Sequence, residues 1–305
     1  MKLLIFGANG QVGGHLIQQL KSKKKIKEFQ KFEVLAVTRN DLDLSNSEAI
    51  IPFLKLHSPN WIINASAYTE VDKAESESKQ AFLINEEAVK KIAIYCNDYG
   101  ARLVHISTDY VFDGNGNLYT EECNVRPIGV YGSSKLAGEA AIKAELQQNI
   151  ILRTSWIFGH TGTNFVKTMI SLAASRKELS VIDDQIGSPT SAKAVASSII
   201  LMFSKMVNAK NNDPRWGTYH FSGFPFVSWA EFAEEIFSQA NSKGIINTTP
   251  KVSKISSDEY PALVKRPLNS CLDSSKICYF FEIHPDDWKV SLGYVLDEIK
   301  GLQAV

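Results

Sequence analysis

Tyr131 and Lys135 stand four residues apart in the run Tyr131-Gly132-Ser133-Ser134-Lys135, a spacing that puts both side chains on one face of a helix. A free tyrosine, with a pKa of about 10, is a poor proton shuttle at neutral pH unless a nearby cation favours its phenolate. Lys135 can supply that bias. The spacing alone recurs by chance in many helices, and its position gives it weight: it follows a buried-strand pattern, Leu103 to Ser107, that runs into Thr108-Asp109-Tyr110. Thr108 is then placed either to hydrogen-bond a substrate carbonyl oxygen beside Tyr131 or merely to cap the strand end.

A second constellation lies at the amino end. Gly7-Ala8-Asn9-Gly10-Gln11-Val12-Gly13 spaces its glycines as GxxGxxG between an apolar strand, Lys2 to Phe6, and a helical pattern carrying Val12, Leu16 and Leu20. Glycine lets such a turn close and lets the backbone approach a pyrophosphate, whose charge is stabilised by free amides at the helix start. The loop from Gly7 through Asn9, Gly10, Gln11 and Val12 to Gly13 therefore reads as a dinucleotide cradle.

At the end of the second strand, an NADH-selective site commonly has an acidic residue against the ribose hydroxyls. Thr38-Arg39 stands there instead, offering a hydroxyl and a guanidinium to a 2′-phosphate. That favours NADPH, with use of NADH as well left open; Arg39 as an ordinary surface cation is the competing reading. Asp43-Leu44 is a candidate adenine contact, although Asp43 reads equally well as a helix cap.

The elements that must position these residues alternate. Strand patterns at Phe32 to Val37 and Trp61 to Ala65 are separated by a helical one at Ile50 to His57, and Glu86 to Tyr99 is helical before the Leu103 strand. Such alternation predicts an α/β fold with a doubly wound parallel sheet, a Rossmann domain over residues 1–155, whose strand ends face one crevice. Beyond it the rhythm becomes irregular. Helices are predicted at Phe165 to Ser175, Ala192 to Val207 and Trp229 to Ala240, around a Pro/Gly/Trp-rich stretch from Pro214 to Pro225, followed by a polar tail with few long apolar runs. Residues 156–305 are expected to form mainly a smaller substrate-binding domain, with some segments returning to the sheet.

The 305 residues are 44% apolar and 22% charged, enough to bury a sizeable core, and 33 basic residues balance 33 acidic ones. No global field draws the chain to nucleic acid or an anionic membrane, and any phosphate recognition must be local. The lysine-rich stretch from Lys21 to Lys31 reads as a solvated helix end and loop. With no charged leader or long apolar run, a cytoplasmic protein is expected. The four cysteines lack CxxC spacing and are taken as free thiols, and the six scattered histidines include no His-Glu-x-x-His pattern, so no metal site is expected.

With these residues in view, the chain resembles the dTDP-4-dehydrorhamnose reductases, a branch of the extended short-chain dehydrogenase/reductases, over nearly its whole length. The resemblance is carried by Gly7 to Gly13, by the run from Asn64 to Glu75 and by Ser107 to Gly114. It continues in Tyr131 to Glu139, Arg153 to Trp156, Asp184 to Thr190 and Arg266 to Ser270. It implies that Tyr131 protonates the C4 oxygen of a dTDP-linked keto sugar as hydride arrives, that Lys135 binds the nicotinamide ribose and tunes Tyr131, and that Thr108 completes the triad. It further implies cofactor contacts from Ala65, Ser66 and Ala67, and sugar-nucleotide contacts from Thr108, Asp109 and Trp156. Arg266 and Asn269 are candidates for closing the substrate side, Arg266 being otherwise a loop cation.

Two departures stand out. Some members of the family hold magnesium at a dimer interface through an acidic residue shortly after the glycine loop, whereas His15 stands here, so the expectation is a monomer or homodimer without that ion. Cys271 replaces a frequent arginine, which leaves open a related keto sugar nucleotide. A dehydratase is disfavoured because Asp109 is followed by Tyr110 rather than glutamate. Epimerisation is not excluded by sequence, though the branch motifs argue against it. A non-catalytic NADP-binding subunit resembling the beta subunit of methionine adenosyltransferase is the reading from another class, opposed by the intact Thr108, Tyr131 and Lys135.

Overall fold

The computed structural model describes residues 1–22, 31–261 and 263–303, so most of the lysine-rich stretch expected as a solvated loop, 23–30, lies outside the described residues. The amino-terminal half alternates β1 (Lys2–Phe6), α1 (Gln11–Ser22), β2 (Glu33–Val37), α2 (Ser47–His57), β3 (Trp61–Asn64), α3 (Ala88–Tyr99), β4 (Arg102–Thr108), α4 (Val130–Glu145) and β5 (Asn149–Thr154). Helix α3 begins two residues later than its apolar period implied, because Leu83–Glu87 forms a π-helical turn ahead of it.

Alternation along the strands explains the layering. Leu3 and Ile5 of β1 join one apolar cluster with Val12, Leu16 and Leu20 of α1, whereas Leu4 and Phe6 join another with Ile50 and Leu54 of α2, Ile92 of α3 and Ile142 of α4. Successive strand side chains point to opposite faces, so a strand covered on both sides is apolar throughout.

In the carboxy-terminal half come α5 (Phe165–Ala173), β6 (Glu178–Ile182), α6 (Ala192–Met206), β7 (Gly217–His220), α7 (Trp229–Ser242), β8 (Lys251–Ile255) and α8 (Trp288–Gln303). The main sheet has the order β7-β5-β4-β3-β1-β2, and every pairing in it is parallel. The Pro/Gly/Trp-rich stretch thus contains a strand of the main sheet, Thr218 pairing with Ile151 and Tyr219 with Leu152. Helix α6 packs beside α1 in the first cluster, its Val195, Ile199 and Phe203 buried.

The expectation of a largely polar tail needs correction. Trp288, Leu292 and Leu296 of α8 are fully buried against Phe232 and Ile236 of α7 in a third core, which also takes Val166 and Met169 of α5. Their helical spacing is sound, but Lys289 between them and Asp297, Glu298 and Lys300 just beyond dilute the apolar average. Strands β6 and β8 pair in parallel at the edge of this smaller layer.

Candidate active site

The loops after β1, β2 and β3 converge at one end of the sheet. Gly7 adopts φ of +73°, and a Cβ on Gly13 would sit 2.0 Å from the Gly7 carbonyl oxygen, so the turn into α1 closes only around glycine. Gly10 N–H donates to Gly7 O at 2.9 Å, and the Ala65 backbone lies directly against Gly7. Asn9 is exposed, Val12 turns into the core, and Gln11 Oε1 accepts from Asn164 Nδ2 at 2.9 Å, tying the loop to the segment before α5.

Beside this turn one cavity is lined by Gly7, Thr38, Arg39, Asp43, Leu44, Ser66 and Ala67, with Phe6, Val37, Leu42 and Ile84 behind them. It gathers candidates from three separate strand ends. Thr38 differs from expectation in one respect: its backbone N–H and its hydroxyl both donate to Asp41 Oδ2, at 2.8 and 2.7 Å. A 2′-phosphate would have to compete with that carboxylate, which leaves exposed Arg39 as the cation of this corner. Asp43 accepts from the Ser45 N–H at 2.9 Å, a local turn contact that holds its carboxyl below the usual range.

Helix α4 carries Tyr131 and Lys135 and is seated by contacts that pin its amino end. Glu75 Oε1 accepts from Val130 N–H at 2.8 Å, and a Cβ on Gly132 would come 2.2 Å from the Tyr110 carbonyl oxygen. Asn85, in the π turn, donates to Ser134 Oγ at 3.0 Å. The helix therefore lies close over the end of β4, where the Tyr110 ring meets the Tyr131 ring edge-on at 5.5 Å, and where Thr108 Oγ1 donates to Asp109 Oδ1 at 3.0 Å and accepts from the Tyr110 N–H at 3.2 Å, capping the strand end.

The electrostatics of this corner follow from burial. Tyr131 is half-buried, and the enclosing protein pushes its phenol up to about 12; the nearby Thr108 hydroxyl pulls it back and the Asp109 charge adds to the rise. Lys135 is 2% exposed and is brought down to about 8 by desolvation, against the pull of Glu139. Lys135 Nζ donates to the Ile106 carbonyl oxygen at 2.7 Å and lies 3.2 Å from His105 Nε2. Asp109, deeply buried, is raised to about 6, with hydrogen bonds from Ser270 and Thr108 opposing the rise.

Arg266 reaches the same corner, its Nη2 donating to Asp72 Oδ2 at 3.0 Å. Four buried polar atoms here have no partner in the protein: Asp72 Oδ1, Asp109 Oδ2, Thr154 Oγ1 and Arg266 Nε. Buried polar groups are ordinarily paired, so their gathering at strand ends marks a place for a polar ligand. Trp156 follows β5 with φ of +45° and stacks on Trp229 at 3.5 Å. Asn269 is occupied within the protein: Nδ2 donates to Asn117 O and Oδ1 accepts from Cys271 N–H.

Sequence reasoning passed over several residues of this site. His105 is fully buried in β4 between Asn64 and Lys135. Glu139, also fully buried, accepts from Arg153 Nε and Nη2 at 2.8 and 2.6 Å and from Ser107 Oγ at 2.6 Å, bracing α4 against β4 and β5. A histidine, a glutamate and an arginine inside otherwise apolar or helical runs were the available signal. One histidine–carboxylate group, His15, His160 and Glu298, also has the makings of a metal site, which no local spacing displayed.

The family model described as RmlD substrate binding domain matches residues 1–300. A dTDP-4-dehydrorhamnose reductase of Aggregatibacter actinomycetemcomitans is 41% identical over 292 residues, 95% of this chain and 97% of that one. Among solved structures, the dTDP-4-dehydrorhamnose reductase of Clostridium acetobutylicum superposes with a TM-score of 0.87 at 38% identity, covering 98% of this chain and 100% of the other. The Bacillus anthracis enzyme, solved in complex with NADP, gives 0.84 at 35% identity over 97% and 99%.

Proposed function

The chain belongs to the dTDP-4-dehydrorhamnose reductase family, and from that premise we propose that it reduces the C4 ketone of dTDP-4-dehydro-L-rhamnose to dTDP-L-rhamnose with NADPH. The observation that carries this reading is Tyr131 with its ring against Tyr110 at the end of β4 and buried Lys135 one turn along the same helix, at the same end of the sheet as the glycine turn. The residues present fit the cofactor: a turn that only glycine can close, and a cavity with Arg39 at its edge and Leu44, Ser66 and Ala67 in its wall.

When bound, NADPH supplies the hydride that adds to C4. Tyr131 gives its phenolic proton to the C4 oxygen, and a phenol raised to about 12 is fully protonated at neutral pH, as a general acid must be. Thr108, whose hydroxyl donates to Asp109 Oδ1 before substrate arrives, is assigned to turn that single proton towards the same oxygen. Lys135 is assigned to the nicotinamide ribose, from a position fixed by the Ile106 carbonyl. Asp109, Trp156 and Arg266 face the sugar nucleotide, with Asn269 bracing the loop behind them.

Residues 1–155 then hold mainly the cofactor and 156–305 mainly the sugar nucleotide. The partner is a small anionic substrate rather than nucleic acid or membrane; among the described residues no helix is long and apolar enough to cross a membrane. The reaction is assigned to the cytoplasm, and all the residues named come from one chain, which suits a monomer or a homodimer.

The test is NADPH oxidation, followed by absorbance, with the keto sugar generated in place by the upstream enzymes and the product weighed by mass spectrometry. Oxidation with a product two hydrogens heavier supports the reading. Tight NADPH binding without oxidation would overturn it in favour of another keto sugar nucleotide or of a binding-only subunit.

A further inference from the structure

His15 of α1, His160 in the loop before α5 and Glu298 of α8 come from distant parts of the chain, yet their ligand atoms all lie within 4.8 Å of one another. His15 is 3% exposed, and its Nε2 is buried with no hydrogen-bond partner. A buried ring nitrogen with no partner in the protein is a donor that a metal ion would satisfy.

His160 has a matching feature. Its Nδ1 is buried and 2.8 Å from Glu298 Oε2, but without the alignment of a hydrogen bond. A plain His160–Glu298 ion pair accounts for the short distance and leaves His15 Nε2 unexplained. A shared cation accounts for all three, since each ligand atom would point at the ion rather than at its neighbour.

We propose that His15, His160 and Glu298 bind one divalent transition-metal ion of the zinc class through two imidazole nitrogens and one carboxylate oxygen. Magnesium, which the family resemblance raised for this part of the molecule, does not fit this donor set. It requires oxygen ligands, and here a single carboxylate stands beside two nitrogens. Nitrogen and carboxylate donors together suit zinc. Glu298 and His160 are 36% and 21% exposed, so the outer side of the ion is open to water.

The site is structural rather than part of the reaction centre. Helix α1 packs on the sheet face opposite α2, α3 and α4, and the ion would clasp it to α8 and to the loop that also holds Gln11 through Asn164.

The test is titration of the chelator-stripped full chain with zinc chloride and, separately, magnesium chloride by calorimetry, with thermal unfolding read in parallel. One zinc ion per chain is expected, raising the melting temperature, with affinity weakened about 10-fold or more in His160→Gln and in the surface variant Glu298→Gln. Cobalt should give visible bands without sulfur-to-metal charge transfer. Cys278→Ser is the control, because Cys278 Sγ lies 3.6 Å from His284 Nδ1. Absence of saturable zinc binding, equal affinity in the ligand variants, preference for magnesium, or loss of binding in Cys278→Ser would each overturn the proposal.

Discussion

Lys135 Nζ lies 3.2 Å from His105 Nε2, and the other ring nitrogen, Nδ1, lies 3.1 Å from Asn64 Nδ2. Asn64 Oδ1 accepts from Ser66 N–H at 3.1 Å, which orients the amide so that Nδ2 donates to the ring. Nδ1 therefore carries a lone pair, the proton of the neutral imidazole sits on Nε2, and that N–H faces the lysine. An ammonium there would meet donor with donor. Burial acts in the same sense, taking Lys135 down to about 8 and His105 well below its ordinary value.

Asn64→Asp reverses this chain. A carboxylate only accepts, so the ring proton moves to Nδ1 and the Nε2 lone pair turns to Lys135, favouring the ammonium. The alkaline limb of the kcat/KM profile, expected near 8 from Lys135, should move upward by about one unit or more. Profiles of the two proteins across pH 6–10 (a span of about 4 units around the lysine) decide it, and an unmoved limb would detach Lys135 from the asparagine.

Tyr131→Phe keeps the ring against Tyr110 and removes the proton donor. Turnover should fall about 10²–10⁴-fold, while NADPH binding, measured by fluorescence titration, stays close to that of the parent. Unchanged turnover would take Tyr131 out of the mechanism.

Asp109 links stability to pH. Its folded-state value is raised from 3.8 to about 6, so its favourable contribution is complete below 3.8 and is lost as pH rises through about 6, when a buried carboxyl must ionise. Asp109→Asn removes that ionisation. The variant should be more stable than the parent at pH 8 by about 2–3 kcal/mol, the gap closing towards pH 4, as read from urea unfolding at the two pH values. A gap independent of pH would mean that Asp109 titrates alike in the folded and unfolded chain.

Arg39→Ala tests the cofactor corner. Since Thr38 is engaged by Asp41, Arg39 is left to meet the 2′-phosphate, and its loss should weaken NADPH use by about 10–100-fold. NADH, which lacks that phosphate, should change little. Parallel loss with both cofactors in steady-state kinetics would show that Arg39 does not read the phosphate.

Taken by itself, the sequence determined what local periodicity and local chemistry can encode. Short apolar runs placed β1 to β4, helical spacing placed α1, the glycine spacing pointed to a close backbone approach, and the four-residue step set Tyr131 and Lys135 on one face. These depend on neighbours in the chain, so they survive without knowledge of the fold.

Tertiary structure alone decided the rest. Gly217–His220 becomes a strand because β5 offers it an open edge, and α8 is a core helix because α7 covers the Trp288 face. The Asn64–His105–Lys135 chain, the Glu139–Arg153 brace and the His15–His160–Glu298 cluster depend on strand register and helix packing between distant segments. A polar side chain in an apolar run announces that it needs a partner when buried, but only the packed fold specifies which partner arrives and with which atom.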